Sequence, residues 1–285
     1  VAPASFADGG DVTATHFFKM TGSGNDFVMV DGRASPAEQW TPRRIAAACD
    51  RRTGVGADGL VTLTPEAGGI RLIYWNADGS RATMCGNAAL CGTRLAARLA
   101  IAPAGGMRLL TDAGPVESRC VGPDELAEIR LPDCAVPAAA SAFALEPGER
   151  ACWLGSVGVP HVIVLVDDVA AVDVERRGRM LRHHPAGGSR GANANFVAAP
   201  PAPGAPWRIR TFERGVEGET LACGTGTVAA ALALAAHCSL ELPLEFQSAG
   251  GELLAVRARI TSGQATDVWL CGQGRLVFTG SWEEG

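Results

Sequence analysis

The run VAAALALAA, Val228 to Ala236, carries no polar side chain on any face of the helix it would form. A helix apolar all round must be enclosed all round. This one stops at His237 and Cys238, far short of the roughly 20 apolar residues that span a bilayer. Its cover must therefore come from its own chain, and strands are the material at hand. HFFKM, FVMVD, LVTLT, IRLIYWN, MRLLTD and LAEIRL precede Pro132, while VIVLVDD, NFVAA, WRIRTFE, LPLEFQS, ELLAVRARI and RLVFTGSW follow it. Gly, Pro and Asp punctuate them as strands require. Few other stretches are long enough for helices. TPRRIAAACDRR (41–52) has Thr41 as a cap and Pro42 in its first turn. A second long helix is expected after Cys85, and a short one near Val174 to Leu181.

Two stretches share one arrangement. MCGNAALCGTRLAARLA sets Cys85 before Gly-Asn and an Ala/Leu-rich run; ETLACGTGTVAAALAL sets Cys223 before Gly-Thr-Gly-Thr and the apolar run. What leads up to them also matches: GSGNDFVMVD, GVGADGLVTL and WNADGS before the first, SVGVPHVIVLVDD, SRGANANFVAA and FERGVEGE before the second. Asn25 precedes Cys85 by 60 positions and His161 precedes Cys223 by 62. Such a repeat predicts two pseudo-symmetric α+β domains, each a mostly antiparallel closed sheet around a central helix. They are expected over 12–132 and 150–272, joined by the Pro/Ala-rich LPDCAVPAAASAFALEPGERA (131–151). AAPPAPGAPW (198–207) falls inside the second repeat and reads as a surface loop. Facing domains would bring the two helix starts, and both cysteines, together.

Composition narrows the chemistry. With 285 residues, 47% apolar and 19% charged, the chain is globular. A net charge of −5 without a basic block argues against nucleic acid, and no apolar run is long enough for a membrane helix. The opening VAPASFADGGD lacks the features of a signal or transit peptide and reads as an extension. Nine cysteines without CxxC pairs suggest reduced, cytoplasmic thiols. Five histidines without HxH or HExxH spacing offer no metal site.

A helix N-terminus presents unpaired N–H groups and partial positive charge, which suit a carboxylate. Gly86-Asn87 and Gly224-Thr225-Gly226 leave that backbone open to close approach. The same field favours thiolate. One cysteine at a helix start is as often a small buried hydrophobe; two at matching places in a repeat point to chemistry. With an amino-acid carboxylate held between the helix ends, one thiolate can remove the Cα proton while the opposite thiol delivers another, inverting the centre. Neither pyridoxal phosphate nor a metal is required, so no cofactor is expected.

From about Phe17 onward the chain resembles diaminopimelate epimerases, the cofactor-independent isomerases of lysine and peptidoglycan precursor biosynthesis. KMTGSGNDFV, GVGADGL, WNADGS, MCGN, GVPHVIVLVDD, GANANF and above all ERGVEGETLACGTGT carry the resemblance. It implies that two halves each wrap a central helix and that the last strand (273–285) returns to the first. It implies that Cys85 and Cys223 are the catalytic pair, with Gly86, Asn87, Gly224 and Thr225 holding the α-carboxylate. Asn25, Asn76 and Asn193 match amides that bind the two amino-acid ends of the substrate. Arg214 would pair with the distal carboxylate, and Glu213 and His161 match polar residues that contact substrate near the first cysteine. Taken singly, Asn76, Glu213, Arg214 and His161 would read as ordinary turn, surface or structural residues. The family is usually homodimeric and acts on a small-molecule amino acid.

Some positions depart from the pattern. GVPH replaces the usual GNPH, so Val159 stands for an amide. CGNAALC replaces CGNGARC at Ala88 and Leu90, and Gly59 stands where some members carry a Gln that contacts substrate. The rival within this fold is a proline or hydroxyproline racemase, which would read DRSPCGTGT and would not need Arg214. Phenazine-type isomerase relatives lack the cysteine pair. From other classes, a Cys–His hydrolase could use Cys223 with His161 but has no need for Cys85, and a non-catalytic amino-acid-binding protein needs neither thiol.

Overall fold

A computed structural model describes residues 14–122 and 126–283; the N-terminal stretch read as an extension lies outside them. The first half runs β1 (Thr15–Gly22), β2 (Asn25–Asp31), α1 (Pro42–Cys49), β3 (Gly59–Glu66), β4 (Gly69–Asn76), β5 (Arg81–Ala82), α2 (Gly86–Arg98), β6 (Met107–Thr111), β7 (Gly114–Val121) and β8 (Leu126–Leu131). Two short strands, β9 (Cys134–Ala135) and β10 (Ala138–Ala139), lead across. The second half runs β11 (Glu149–Val157), β12 (Val159–Val166), α3 (Val174–Arg182), β13 (Asn193–Ala198), β14 (Trp207–Glu213), β15 (Gly218–Thr220), α4 (Gly224–His237), β16 (Leu244–Gln247), β17 (Leu253–Thr261), β18 (Gln264–Gln273) and β19 (Arg275–Trp282).

The repeat is visible in the pairing. Most neighbours are antiparallel, but β2–β3, β4–β6, β12–β13 and β14–β16 are parallel. A parallel pair needs a crossover, usually a helix. Helices α1 and α3 make the first crossover of each half, and α2 and α4 make the second. The sheet of each half thus carries one helix outside and one inside.

Helix α1 begins where Thr41 accepts the Arg44 N–H at 3.2 Å. It stops at Cys49, short of the expected Arg52, because Asp50 turns to extended backbone and accepts the N–H groups of Arg52 and Thr53 at 2.8 and 2.6 Å. On the inner helices, α4 is buried from Gly226 through Leu234, and α2 from Asn87 through Thr93 and again at Leu95 and Ala96. Both contribute to one continuous core, with Phe27, Leu63 and Leu109 from the first half and Ile163, Phe246 and Leu270 from the second.

Strands β8 and β18 join the halves as antiparallel neighbours, Ile129 facing Leu270. Each then continues into the other half. Strand β19 pairs with β1, while β9 pairs with β18 and β10 with β11. The start of the stretch read as a linker is therefore partly strand, and β11 begins before that stretch ends.

The outer helix α3 shows how tightly these layers fit. A Cβ on Gly178 would lie 2.4 Å from Phe212 Cβ and 2.7 Å from its Cγ. Alanine would gain roughly 1 kcal/mol of helix propensity, yet crowding a packed core typically costs about 1–3 kcal/mol. Gly178→Ala should therefore lower the melting temperature; an unchanged or raised midpoint would contradict this packing.

Candidate active site

The β8–β18 pair sets the two inner helices against each other. A Cβ on Gly86 would touch Ile129 Cδ1 at 3.7 Å, and one on Gly224 would meet Leu270 Cδ2 at 2.7 Å. Facing residues of an antiparallel pair lie about 4.5–5.5 Å apart at Cα and project to one side. Each helix therefore starts over one of two adjacent side chains. Cys85 and Cys223 are the N-cap residues, both with extended backbone. The first intrahelical bonds run from Ala89 and Thr227 back to their carbonyls, so the N–H groups before these have no helical partner.

Both thiols are pushed toward the neutral S–H form. Burial pushes Cys85 up, and the Glu213 and Asp58 carboxylates add to it. The Ala88 and Asn87 N–H groups pull it back, although the sulfur makes no full cap hydrogen bond. Cys223 is pushed up to about 12, by burial first and then by Glu213, with Cys85 adding a smaller push. The Gly226 N–H and the Thr225 hydroxyl, 3.7 Å from the sulfur, oppose this. Both thiols thus share the field of one carboxylate. Glu213 is itself raised by burial.

Other residues singled out in the sequence form two groups, one in each half. In the first half Asn87 Nδ2 donates to Asn25 Oδ1 at 2.7 Å, and Asn25 Nδ2 donates to Asp58 at 2.9 Å. Asp58 is held by Arg51 at 2.8 Å, and Arg51 also grips Asp26, which pairs with Lys19. Burial would raise Asp26, but Arg51 and Lys19 outweigh it and hold that carboxyl at about 2. Asn76 ends β4, and its amide donates to the Ser80 hydroxyl at 3.0 Å, within its own turn. In the second half His161 faces Asn193 across β12–β13, and Asn193 Oδ1 accepts the Arg214 N–H at 2.7 Å. His161 is fully buried; burial and then the Arg214 charge depress it to about 3, so it is a neutral imidazole. Arg214 lines a cavity of about 540 Å³ with Arg182, His183 and Arg190; neither cysteine lines it.

Several polar atoms here are buried without a partner among the described residues: Asn87 Oδ1, His161 Nε2 and Arg214 Nη1. Leaving such an atom unpaired costs about 1–3 kcal/mol, a cost that a polar ligand removes. Among the departures, Val159 is half-buried at the head of β12, while Ala88 and Leu90 are fully buried in the core. Sequence reasoning missed Asn195. It shares a strand face with Asn193, approaches His161 Nδ1 at 3.3 Å and accepts from Thr211 at 3.0 Å. Its carbonyl would lie 2.1 Å from a Cβ on Gly226, so this helix start must be glycine. The signal was the second Asn of GANANF. Among the described residues no cluster of His, Cys, Asp or Glu could hold a metal, and no helix is long and apolar enough to cross a membrane.

A family model described as diaminopimelate epimerase matches residues 17–129 and 154–265. The chain belongs to the diaminopimelate epimerase family. Among curated proteins, a diaminopimelate epimerase from Gemmatimonas aurantiaca is 49% identical over 221 residues, 76% of this chain and 78% of that protein. One from Chlorobaculum tepidum is 36% identical over 278 residues, covering 92% and 99%. Solved structures share the fold at lower identity. A phenazine biosynthesis protein from Bacillus anthracis superposes with a TM-score of 0.70 at 14% identity over 94% of this chain and 99% of that one. A hydroxyproline epimerase from Agrobacterium vitis gives 0.61 at 16% identity over 94% and 90%. This diaminopimelate epimerase family member is thus a mixed α+β enzyme of the isomerase class with an amino-acid substrate.

Proposed function

We propose that this chain interconverts LL- and meso-diaminopimelate without a cofactor, passing protons between Cys85 and Cys223 during lysine and peptidoglycan precursor synthesis. The observation that carries this reading is the placement of two cysteines as N-caps of two repeat-related helices that start over one strand pair. The α-carboxylate would sit between the helix ends, on N–H groups of Gly86, Asn87, Gly224 and Thr225. One thiolate takes the Cα proton and becomes a thiol; the other thiol delivers a proton to the opposite face and becomes the thiolate. Protein and substrate exchange two protons and no net charge is lost. The raised thiol affinities suit a Cα–H acid, because a strong base is needed once the thiolate has formed. Asn25, Asn76, Asn193 and Arg214 bind the amino-acid ends, and Glu213 and His161 contact substrate near the thiols. The cytoplasmic, homodimeric state that goes with the family is part of the same proposal.

The hydrolase reading fits less well. It needs His161 to take a proton from Cys223, and a neutral imidazole depressed to about 3 is a poor acceptor. The direct test offers the purified chain LL-diaminopimelate and, separately, L-proline. Formation of the meso form from the first and no D-proline from the second is expected; the reverse would install the racemase reading.

The charge that raises both thiols gives a pH prediction. Glu213→Gln removes a carboxylate that opposes thiolate formation, so each thiol should ionise at lower pH. The ascending limb of kcat/KM against pH should move down in the variant. A limb that stays in place or moves up would show that Glu213 does not act on these thiols.

A further inference from the structure

Strands β2, β3 and β4 bring Phe27, Gly59 and Asn76 side by side at the edge of the first half's site. In the second half, β12 and β13 bring His161 beside Asn193 in the matching place. Phe27 and His161 are each the third residue of their strand, and each strand follows a left-handed glycine, Gly24 or Gly158. Gly59 therefore stands in the first half where Asn193 stands in the second. One half offers an amide at this position, and the other offers no side chain at all.

Gly59 has no room for one. A Cβ there would lie 2.3 Å from the Trp75 carbonyl oxygen, 2.5 Å from Tyr74 Cε2 and 3.2 Å from Tyr74 Cζ. The tip of the Tyr74 ring thus covers Gly59. Tyr74 shares a strand face with Asn76, two residues on, and packs edge-on against Phe27 with centroids 5.8 Å apart. It is the single tyrosine of the chain and is 9% exposed. Its ring is packed away, but its hydroxyl makes no hydrogen bond among the described residues and is not one of the enclosed unpartnered atoms, so the oxygen still meets solvent and is open to a ligand. Burial raises the phenol, and the Asp58 carboxylate and Cys85, whenever it is a thiolate, raise it further, so the hydroxyl stays a donor.

We infer that Tyr74 is a substrate-contacting residue whose hydroxyl donates a hydrogen bond to the carboxylate at the reacting centre of diaminopimelate, taking the place that Gly59 leaves without a side chain. The inference rests on the proposed activity. A donor to a carboxylate is a charge-assisted bond, and its loss corresponds to roughly 10- to 150-fold in kcat/KM.

Two measurements on the full chain test it. Tyr74→Phe keeps the ring over Gly59 and removes only the hydroxyl, so kcat/KM for LL-diaminopimelate should fall by roughly 10-fold or more with an unchanged melting temperature. Because there is one tyrosine, protein labelled with 3-fluorotyrosine gives a single fluorine resonance, which should shift on titration with LL-diaminopimelate. A resonance that does not move, with Tyr74→Phe within about twofold of an active unaltered chain, overturns the inference. Failure of the unaltered chain to convert either diastereomer overturns the functional reading instead, and this inference with it.

Discussion

Cys85→Ala and Cys223→Ala are each expected to slow epimerisation in both directions by roughly a thousandfold or more, the scale of a positioned acid or base. Each direction uses both thiols, one on each face of the reacting carbon. Removing either one therefore disables both directions, however well the substrate still binds. The residues act as a unit, so the double variant should be little slower than either single one. Folding should survive, because neither sulfur makes a full cap hydrogen bond and alanine is smaller. Matching melting curves beside lost turnover would separate chemistry from stability. Substantial activity in either variant would remove that thiol from the reaction.

The second large effect belongs to Arg214. Its Nη1 is buried without a partner among the described residues, and its charge reaches His161. A distal carboxylate would supply the missing acceptor through a charge-assisted pair. Losing it corresponds to about 1.5–3 kcal/mol, so Arg214→Ala should raise KM by roughly 10- to 150-fold and change kcat less. Val159→Asn alters only one neutral contact, about 0.5–1.5 kcal/mol, and should shift KM by no more than about tenfold. An analogue without the distal carboxylate should bind the unaltered and Arg214→Ala chains alike. Equal turnover of diaminopimelate by both chains would mean that the distal group is not a carboxylate, and would bring the racemase forward.

What the sequence made legible was local or repeated. The enclosure of α4 follows from its composition, the cysteine pair from recurrence, and the α1 start from Thr41 and Pro42. Several strands escaped notice for physical reasons. Strand β7 opens with Gly114-Pro115 and exposes Pro115 and Glu117, so its apolar signal is thin. In β18, Val268, Trp269 and Leu270 are buried in succession because the strand lies between β8 and β17, and a short apolar run does not reveal its neighbours. Prolines 132 and 137 made 131–151 read as a linker, although β9 and β10 lie beside and between them. The links from Asp58 through Asn25 to Asn87, and from Tyr74 to Gly59, depend on strand register. Gly59 reads in the sequence as a lost contact; only the fold shows the Tyr74 ring over it.

The measurement that bears most directly on the two-thiol mechanism is deuterium uptake in heavy water, begun separately from LL- and from meso-diaminopimelate and sampled at low conversion. Each thiol exchanges with solvent, but the proton just removed stays on the thiol that took it, on the face opposite the donor. The product formed first should therefore carry one deuterium at the inverted carbon, while recovered substrate carries almost none, from either starting diastereomer. Equal labelling of substrate and product from the outset would contradict this, since a single base serving both faces would return solvent deuterium to either side.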